Sequence, residues 1–189
     1  MNALILDKTF TKENFTINRL PTAEYDNCIF KECIFAEAFL SDVNFVECTF
    51  IGCDFTNAKT KNTSFNNTTF NNCKLLGVLF NSCNPFLLSF TFTDCNLQLA
   101  SFYTLAIKKT MFKNCNLEQV DFSMANLTQS SFDGCNLKNA IFDDSNLEKA
   151  DFITAYNYTI DPDNNNLKGA KFSKNGLAGL LTKYKISIS

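Results

Sequence analysis

The sequence contains no histidine and no tryptophan, and it has only six glycines among 189 residues. Each absence removes a class of function. Without histidine, general acid–base and nucleophilic catalysis lose their commonest base, and zinc loses one of its commonest ligands. The few glycines form no phosphate-cradling motif, so nucleotide chemistry has no loop to sit in. No run of 18 apolar residues occurs, which leaves no candidate membrane helix, and Met1–Leu6 is too short for the apolar core of a signal peptide. The expected compartment is the cytoplasm. A formal net charge of −2 argues against a strongly basic nucleic-acid binder. The protein is therefore expected not to be an enzyme, and to hold no cofactor or metal.

What the chain does have is phenylalanine, 21 of its residues. From Phe92 to Phe152 every fifth residue is large and apolar, running Phe92, Leu97, Phe102, Ile107, Phe112, Leu117 and onward. A period of five fits neither a helix, which repeats near 3.6, nor a strand, which repeats at 2. It fits a backbone that turns a corner every five residues and points the same side chain inward on each side of a polygon. A second period lies over the first. Phe92, Phe112, Phe132 and Phe152 form one column, Phe102, Phe122 and Phe142 another, and Cys-Asn-Leu recurs at Cys95, Cys115 and Cys135. Four corners therefore make one coil of twenty residues, and coils stack with like on like at the β-ladder spacing of ~4.8 Å. Eighteen of the phenylalanines fall on this grid, which assigns the aromatic excess to the core.

All nine cysteines stand two residues before a grid position, a slot otherwise filled by alanine, serine, threonine or valine. With no Cys-x-x-Cys and no histidine, small size and tolerance of burial explain them better than zinc or redox chemistry. Stacked cysteines such as Cys33, Cys53 and Cys73 should carry parallel Cβ vectors, so free thiols are expected.

Along the chain, residues 1–9 read as a strand or turn covering the first coil, and 10–177 as the repeat. The grid sits on multiples of five to Phe80 and is shifted by two from Phe92, so two extra residues are absorbed near 81–91, around Asn84-Pro85. A bulge that re-phases the coil is one reading, a projecting loop the other. Residues 178–189 leave the grid. Leu177, Leu180, Leu181 and Tyr184 follow helical spacing, and Lys185–Ser189 alternates like a strand with Ile186 and Ile188 on one face. That segment either caps the last coil or forms a symmetric contact with a second copy.

The grammar seen in Cys-Asn-Leu-Glu-Gln at 115–119, Ala-Asn-Leu-Thr-Gln at 125–129 and Ala-Asp-Phe-Ile-Thr at 150–154 resembles that of the pentapeptide-repeat family. The resemblance implies an all-β fold, a right-handed quadrilateral β-helix with a short C-terminal capping helix and strand. Relatives of the Qnr/MfpA quinolone-resistance type end in a similar helix and strand and dimerise through them. By that resemblance Leu177, Leu180, Leu181, Tyr184, Ile186 and Ile188 become the expected homodimer contact.

With an interior of Phe, Leu and Cys, function is expected on the outer surface, where charge is banded. Residues 1–58 carry a net −5, 59–117 a net +5, 118–167 a net −7 and 168–189 a net +5. The 118–167 band spans about 12 Å of axis at the ladder spacing, a length over which duplex DNA carries roughly seven charges. The Qnr/MfpA resemblance implies a DNA-mimicking protein that binds DNA gyrase or topoisomerase IV and protects it from quinolones. Asp121, Asp133, Asp143, Asp144, Glu148 and Asp151 are the partner-binding candidates. Against this stand the basic middle band, which includes Lys59, Lys61, Lys74, Lys108, Lys109 and Lys113, and the alternative of an interaction scaffold with another partner. Direct nucleic-acid binding and membrane association are not expected.

Overall fold

Corners every five residues require an unusual backbone angle, and the structure, a computed structural model describing residues 3–187, shows how they are made. Counting the inward residue as the first, the third residue of most pentapeptides takes a left-handed conformation: Asn27, Glu32, Leu99 and Met124 have φ of 49°, 51°, 60° and 57°. Such angles are uncommon for residues other than glycine and asparagine. They persist because the next coil holds the corner amide. Asn27 N donates to Val46 O at 3.0 Å, Leu99 N to Glu118 O at 3.1 Å and Met124 N to Asp143 O at 2.7 Å. Stacking therefore over-determines a conformation that a lone turn would not keep.

Between corners run short strands: β1 (Ala3–Leu6), β2 (Thr9–Thr11), β3 (Ala23–Asp26), β4 (Ile29–Lys31), β5 (Asn44–Val46), β6 (Thr49–Ile51), β7 (Ser64–Asn66) and β8 (Thr68–Asn71). The series continues with β9 (Phe90–Thr93), β10 (Met111–Lys113), β11 (Ser131–Asp133), β12 (Asp151–Phe152) and β13 (Lys171–Phe172). All pairings are parallel. One ladder runs β1-β3-β5-β7, and the other runs through nine strands from β2 to β13. Isolated parallel bridges such as Asn96↔Asn116↔Asn136 and Ser101↔Asp121↔Ile141 make two further sides. The result is the right-handed four-sided β-helix that the resemblance to the pentapeptide-repeat family implied.

The first side carries Tyr25, Phe45, Phe65 and Leu127 inward, the second Phe30, Phe50, Phe112 and Phe152, the third Phe35, Phe55, Leu97 and Leu117, and the fourth Leu40, Phe80, Phe102 and Phe122. β1 is already part of the first ladder, with Ala3 opposite Ala23.

Aromatic columns fill the bore. Phe112 stacks on Phe92 at 5.3 Å and on Phe132 at 5.2 Å, and meets Phe102 and Phe122 edge-on at 5.8 Å. Rings are thus offset-parallel up the axis and T-shaped across it, the two arrangements their quadrupoles favour. Thr60, which interrupts the grid, is buried, and its hydroxyl donates to Leu79 O at 2.9 Å. All nine cysteines are free and buried. Six of them, Cys33, Cys53, Cys73, Cys95, Cys115 and Cys135, occupy one corner column, and their thiols turn to carbonyls, as Cys53 Sγ does toward Phe30 O at 3.3 Å.

The two extra residues enter on the first side. Phe50 pairs with Phe70 at a twenty-residue offset, but Phe70 pairs with Phe92, and Leu79 with Ser101. No long loop results. Asn84 N donates to Thr63 O, Ser89 N returns to Phe65 O, and Asn84 Oδ1 accepts from Phe86 N at 3.0 Å in a tight turn. Phe90, off the grid by sequence, is nevertheless buried against Phe80 and Phe92, because it and Phe92 are alternate residues of one strand flanking the re-phased corner.

At the C-terminus a single turn of helix, α1 (Ala178–Leu181), continues into a 3-10 turn over Thr182–Tyr184. Residues 185–187 form no strand, and Lys185 ends the turn at φ 52°. Among the described residues no helix is long and apolar enough to cross a membrane.

Candidate partner-binding surface

The side on which an outward residue lies follows from its place in the twenty-residue coil. By that rule the six acidic candidates divide. Asp121, Asp143 and Asp144 share the fourth side over two successive coils, Asp121 bridging Ser101 and Ile141. Asp121 Oδ1 accepts from Ser123 N at 2.9 Å, while Asp143 and Asp144 are exposed. Glu148 lies on the first side, 3.5 Å from Lys149. Asp133 and Asp151 lie on the second, Asp133 accepting from Thr154 Oγ1 at 2.6 Å and Asp151 standing 3.7 Å from Lys171. The acidic band is therefore carried by the second and fourth sides, since Lys149 offsets Glu148 on the first and Lys138 offsets Glu118 on the third, and its densest part outside any ion pair is the fourth-side trio.

The lysines of the middle band are dispersed in the same way. Lys108 and Lys109 fall on the first side, Lys113 on the second, Lys74 on the third opposite Asp54, and Lys59 and Lys61 on the fourth. No single face of the rod is basic along its length.

The C-terminal cap is tied down by contacts outside the repeat grammar. Tyr158 turns inward where the grid fades at Asn157, and Gly179 closes so tightly on it that a Cβ there would meet the Tyr158 carbonyl oxygen. A Cβ at Gly176 would meet the Tyr158 hydroxyl. That hydroxyl is buried without a hydrogen-bond partner, and burial pushes its pKa up. Ile160 N donates to Gly179 O at 3.1 Å. Lys183 Nζ is clamped by Asp161 at 2.6 Å and by Asp163, contacts that hold the Asp161 carboxyl below its ordinary range and the lysine above its own.

Of the expected dimer contacts, Leu180 packs partly buried against the core and Leu181 is half-buried, whereas Leu177, Tyr184 and Ile186 are exposed. Ile188 lies outside the described residues. The Lys183 clamp was missed by sequence reasoning, although Asp163 and Lys183 stand one coil, twenty residues, apart.

A groove of about 430 Å³ runs beneath the cap, lined by residues including Tyr156, Tyr158, Asn175 and Gly179, with no carboxylate or lysine in its wall. Among the described residues no three His, Cys, Asp or Glu side chains converge on a metal-sized site.

Stacked five-residue sides, inward Phe and Leu, and charged outer faces define a repeat solenoid whose variable chemistry is on its exterior. The sequence matches the family described as pentapeptide repeat region over residues 86–180, and those described as pentapeptide repeats over residues 45–84 and 26–59. The chain belongs to the pentapeptide-repeat family. Among solved structures it is similar to trypsin-treated QnrB1, described as a plasmid-mediated fluoroquinolone resistance protein, with a TM-score of 0.64, 17% identity and 100% of each chain covered. It is also similar to HetL, a pentapeptide-repeat protein involved in heterocyst differentiation regulation from the cyanobacterium Nostoc sp. strain PCC 7120, with a TM-score of 0.53 and 15% identity, over 93% of this chain and 91% of that one. At these identities the likeness is one of fold. A comparison with curated protein sequences gives no match.

Proposed function

We propose that this protein carries out no chemistry of its own and acts by presenting the acidic belt of its C-terminal half to a type II topoisomerase, DNA gyrase or topoisomerase IV, altering that enzyme's response to quinolones. The observation that carries this reading is the fourth-side trio. Asp121, Asp143 and Asp144 lie on one face within two coils, and among the ion pairs of the described residues none engages them. Asp121 and Asp143 lie on adjacent coils, ~4.8 Å apart along the axis and offset by two residues because Asp121 pairs with Ile141, and such a cluster of carboxylates outside any ion pair suits a protein surface built to hold duplex DNA. The resemblance to Qnr/MfpA-type proteins points the same way, as does the likeness in fold to a fluoroquinolone resistance protein. The exposed Leu177, Tyr184 and Ile186 of the cap would supply an end-to-end homodimer contact that doubles the belt.

Supercoiling by purified gyrase, with and without a quinolone, tests the proposal. Added protein is expected to change supercoiling or relieve inhibition, and Asp121→Lys with Asp143→Lys and Asp144→Lys is expected to abolish the effect while leaving the fold intact. No response from the native protein at micromolar concentration removes the topoisomerase reading. What then stays is a non-enzymatic scaffold for another protein, which the pairing of Glu148 and Asp151 with lysines favours by neutralising part of the belt.

A further inference from the structure

The first side of the rod carries its charges in segregated order. The outward positions of its opening coils hold Asp7, Glu24, Asp26 and Glu47, with no lysine or arginine among them. The outward positions of its closing coils hold Lys108, Lys109, Lys149 and Lys168 against one acid, Glu148, which Lys149 already engages. Midway between these halves the two-residue insertion interrupts the ladder. There Phe86 is 73% exposed and Leu87 60% exposed, the latter turned out by φ of 56°. The side thus reads acidic, apolar, basic along the axis.

Such an order selects its occupant. A polyanion meets repulsion over the first half and a polycation over the second. A surface with the same sequence of charges reversed satisfies both, and a two-fold axis through the apolar centre generates that surface from a second copy of the chain. We propose that the protein pairs side by side and antiparallel with another copy across its first side. Phe86 and Leu87 meet their equivalents near the axis, and each acidic half lies against the other's lysines. This contact is on the flank of the rod and is independent of the cap.

Its size sets its strength. The side is about 40 Å long at ~4.8 Å per coil and about 10 Å wide at ~3.3 Å per strand residue, so two copies bury roughly 800 Å². Stable interfaces begin near ~1,200 Å², so this pairing is expected to be concentration-dependent and weakened by salt.

The test uses the full chain with Leu177→Asp and Tyr184→Asp, which removes any end-to-end contact. In sedimentation at low salt the mass is expected to rise with concentration from 21.3 kDa toward twice that value, and to fall back at high salt. Phe86→Glu is expected to weaken pairing at least tenfold. Reversing the acidic half (Glu24→Lys, Glu47→Lys) or the basic half (Lys108→Glu, Lys109→Glu) is expected to leave each variant monomeric, with an unchanged circular dichroism spectrum. An equimolar mixture of the two is expected to pair. A monomer at every concentration overturns the proposal, as does a dimer indifferent to all three changes or a failure of the folded charge-reversed variants to pair when mixed.

Discussion

Replacing Phe112 with alanine removes a ring that touches four others, two stacked at 5.3 and 5.2 Å and two edge-on at 5.8 Å, from a site with no solvent exposure. Truncating a buried phenylalanine costs about 3–5 kcal/mol, and ring pairs add about 0.5–1.5 kcal/mol each beyond area, so the expected loss lies near the top of that range, ~5 kcal/mol. With a urea slope of about 2–3 kcal/mol per molar, the midpoint should fall by about 2 M. Phe39→Ala is the matched comparison, because that ring is off the five-residue grid and 61% exposed. Its loss should move the midpoint by about 0.2 M, the scale of a surface change. Coils couple chiefly to their neighbours, so amide exchange in Phe112→Ala should accelerate first around Phe92 and Phe132 and last around Phe30. Equal effects of the two substitutions, or a Phe112 shift below about 0.5 M, would refute the assignment of inward and outward positions on which the whole surface description rests.

The cap and the thiols give further tests. Tyr158→Phe removes a buried hydroxyl that has no partner and should stabilise the protein by about 1 kcal/mol, read as a rise in Tm, whereas Gly179→Ala should lower Tm by forcing the cap off the Tyr158 carbonyl. Because Lys183 depresses the Asp161 pKa, its contribution is present above the ordinary carboxylate range and is lost as pH falls through the lower folded value. Amide exchange over Ala178–Leu181 should therefore rise in acid, and Lys183→Met should raise it already at neutral pH and flatten the acid dependence. At the other extreme, burial pushes Cys48 and Tyr25 up to about 12, so stability should be full below about pH 9 and decline as pH climbs toward 12, seen in urea midpoints. A thiol reagent should label none of the nine cysteines in the native protein and all nine in denaturant without reductant, and a shortfall in denaturant would mean disulfides.

The candidate surface was only partly legible in the sequence. Net charge by segment found the acidic belt, but whether Asp133 joins Asp143 or stands across the rod from it depends on each residue's place in the coil. The sequence named Leu180 and Tyr184 alike as contacts, yet helical spacing does not say which side of a single turn is already occupied. Leu180 is taken by the core and Tyr184 is free. Phe90 stands off the five-residue grid, and only the alternation of residues within its strand turns it inward beside Phe92.

By itself the sequence determined that the chain coils, that twenty residues make one coil, that Phe and Leu fill the bore and that the cysteines are there to be small. The physical reason is that inside and outside repeat with the period of the corner, so burying the apolar side chains requires a turn every five residues, while the hand of the coil was implied only by the family resemblance. Tertiary structure alone decided where the two extra residues go, which charges share a side, and how the last coil is closed by Tyr158, Gly179 and Lys183. Those outcomes depend on how segments outside the repeat pack, where no period constrains them and only shape and local charge select the arrangement.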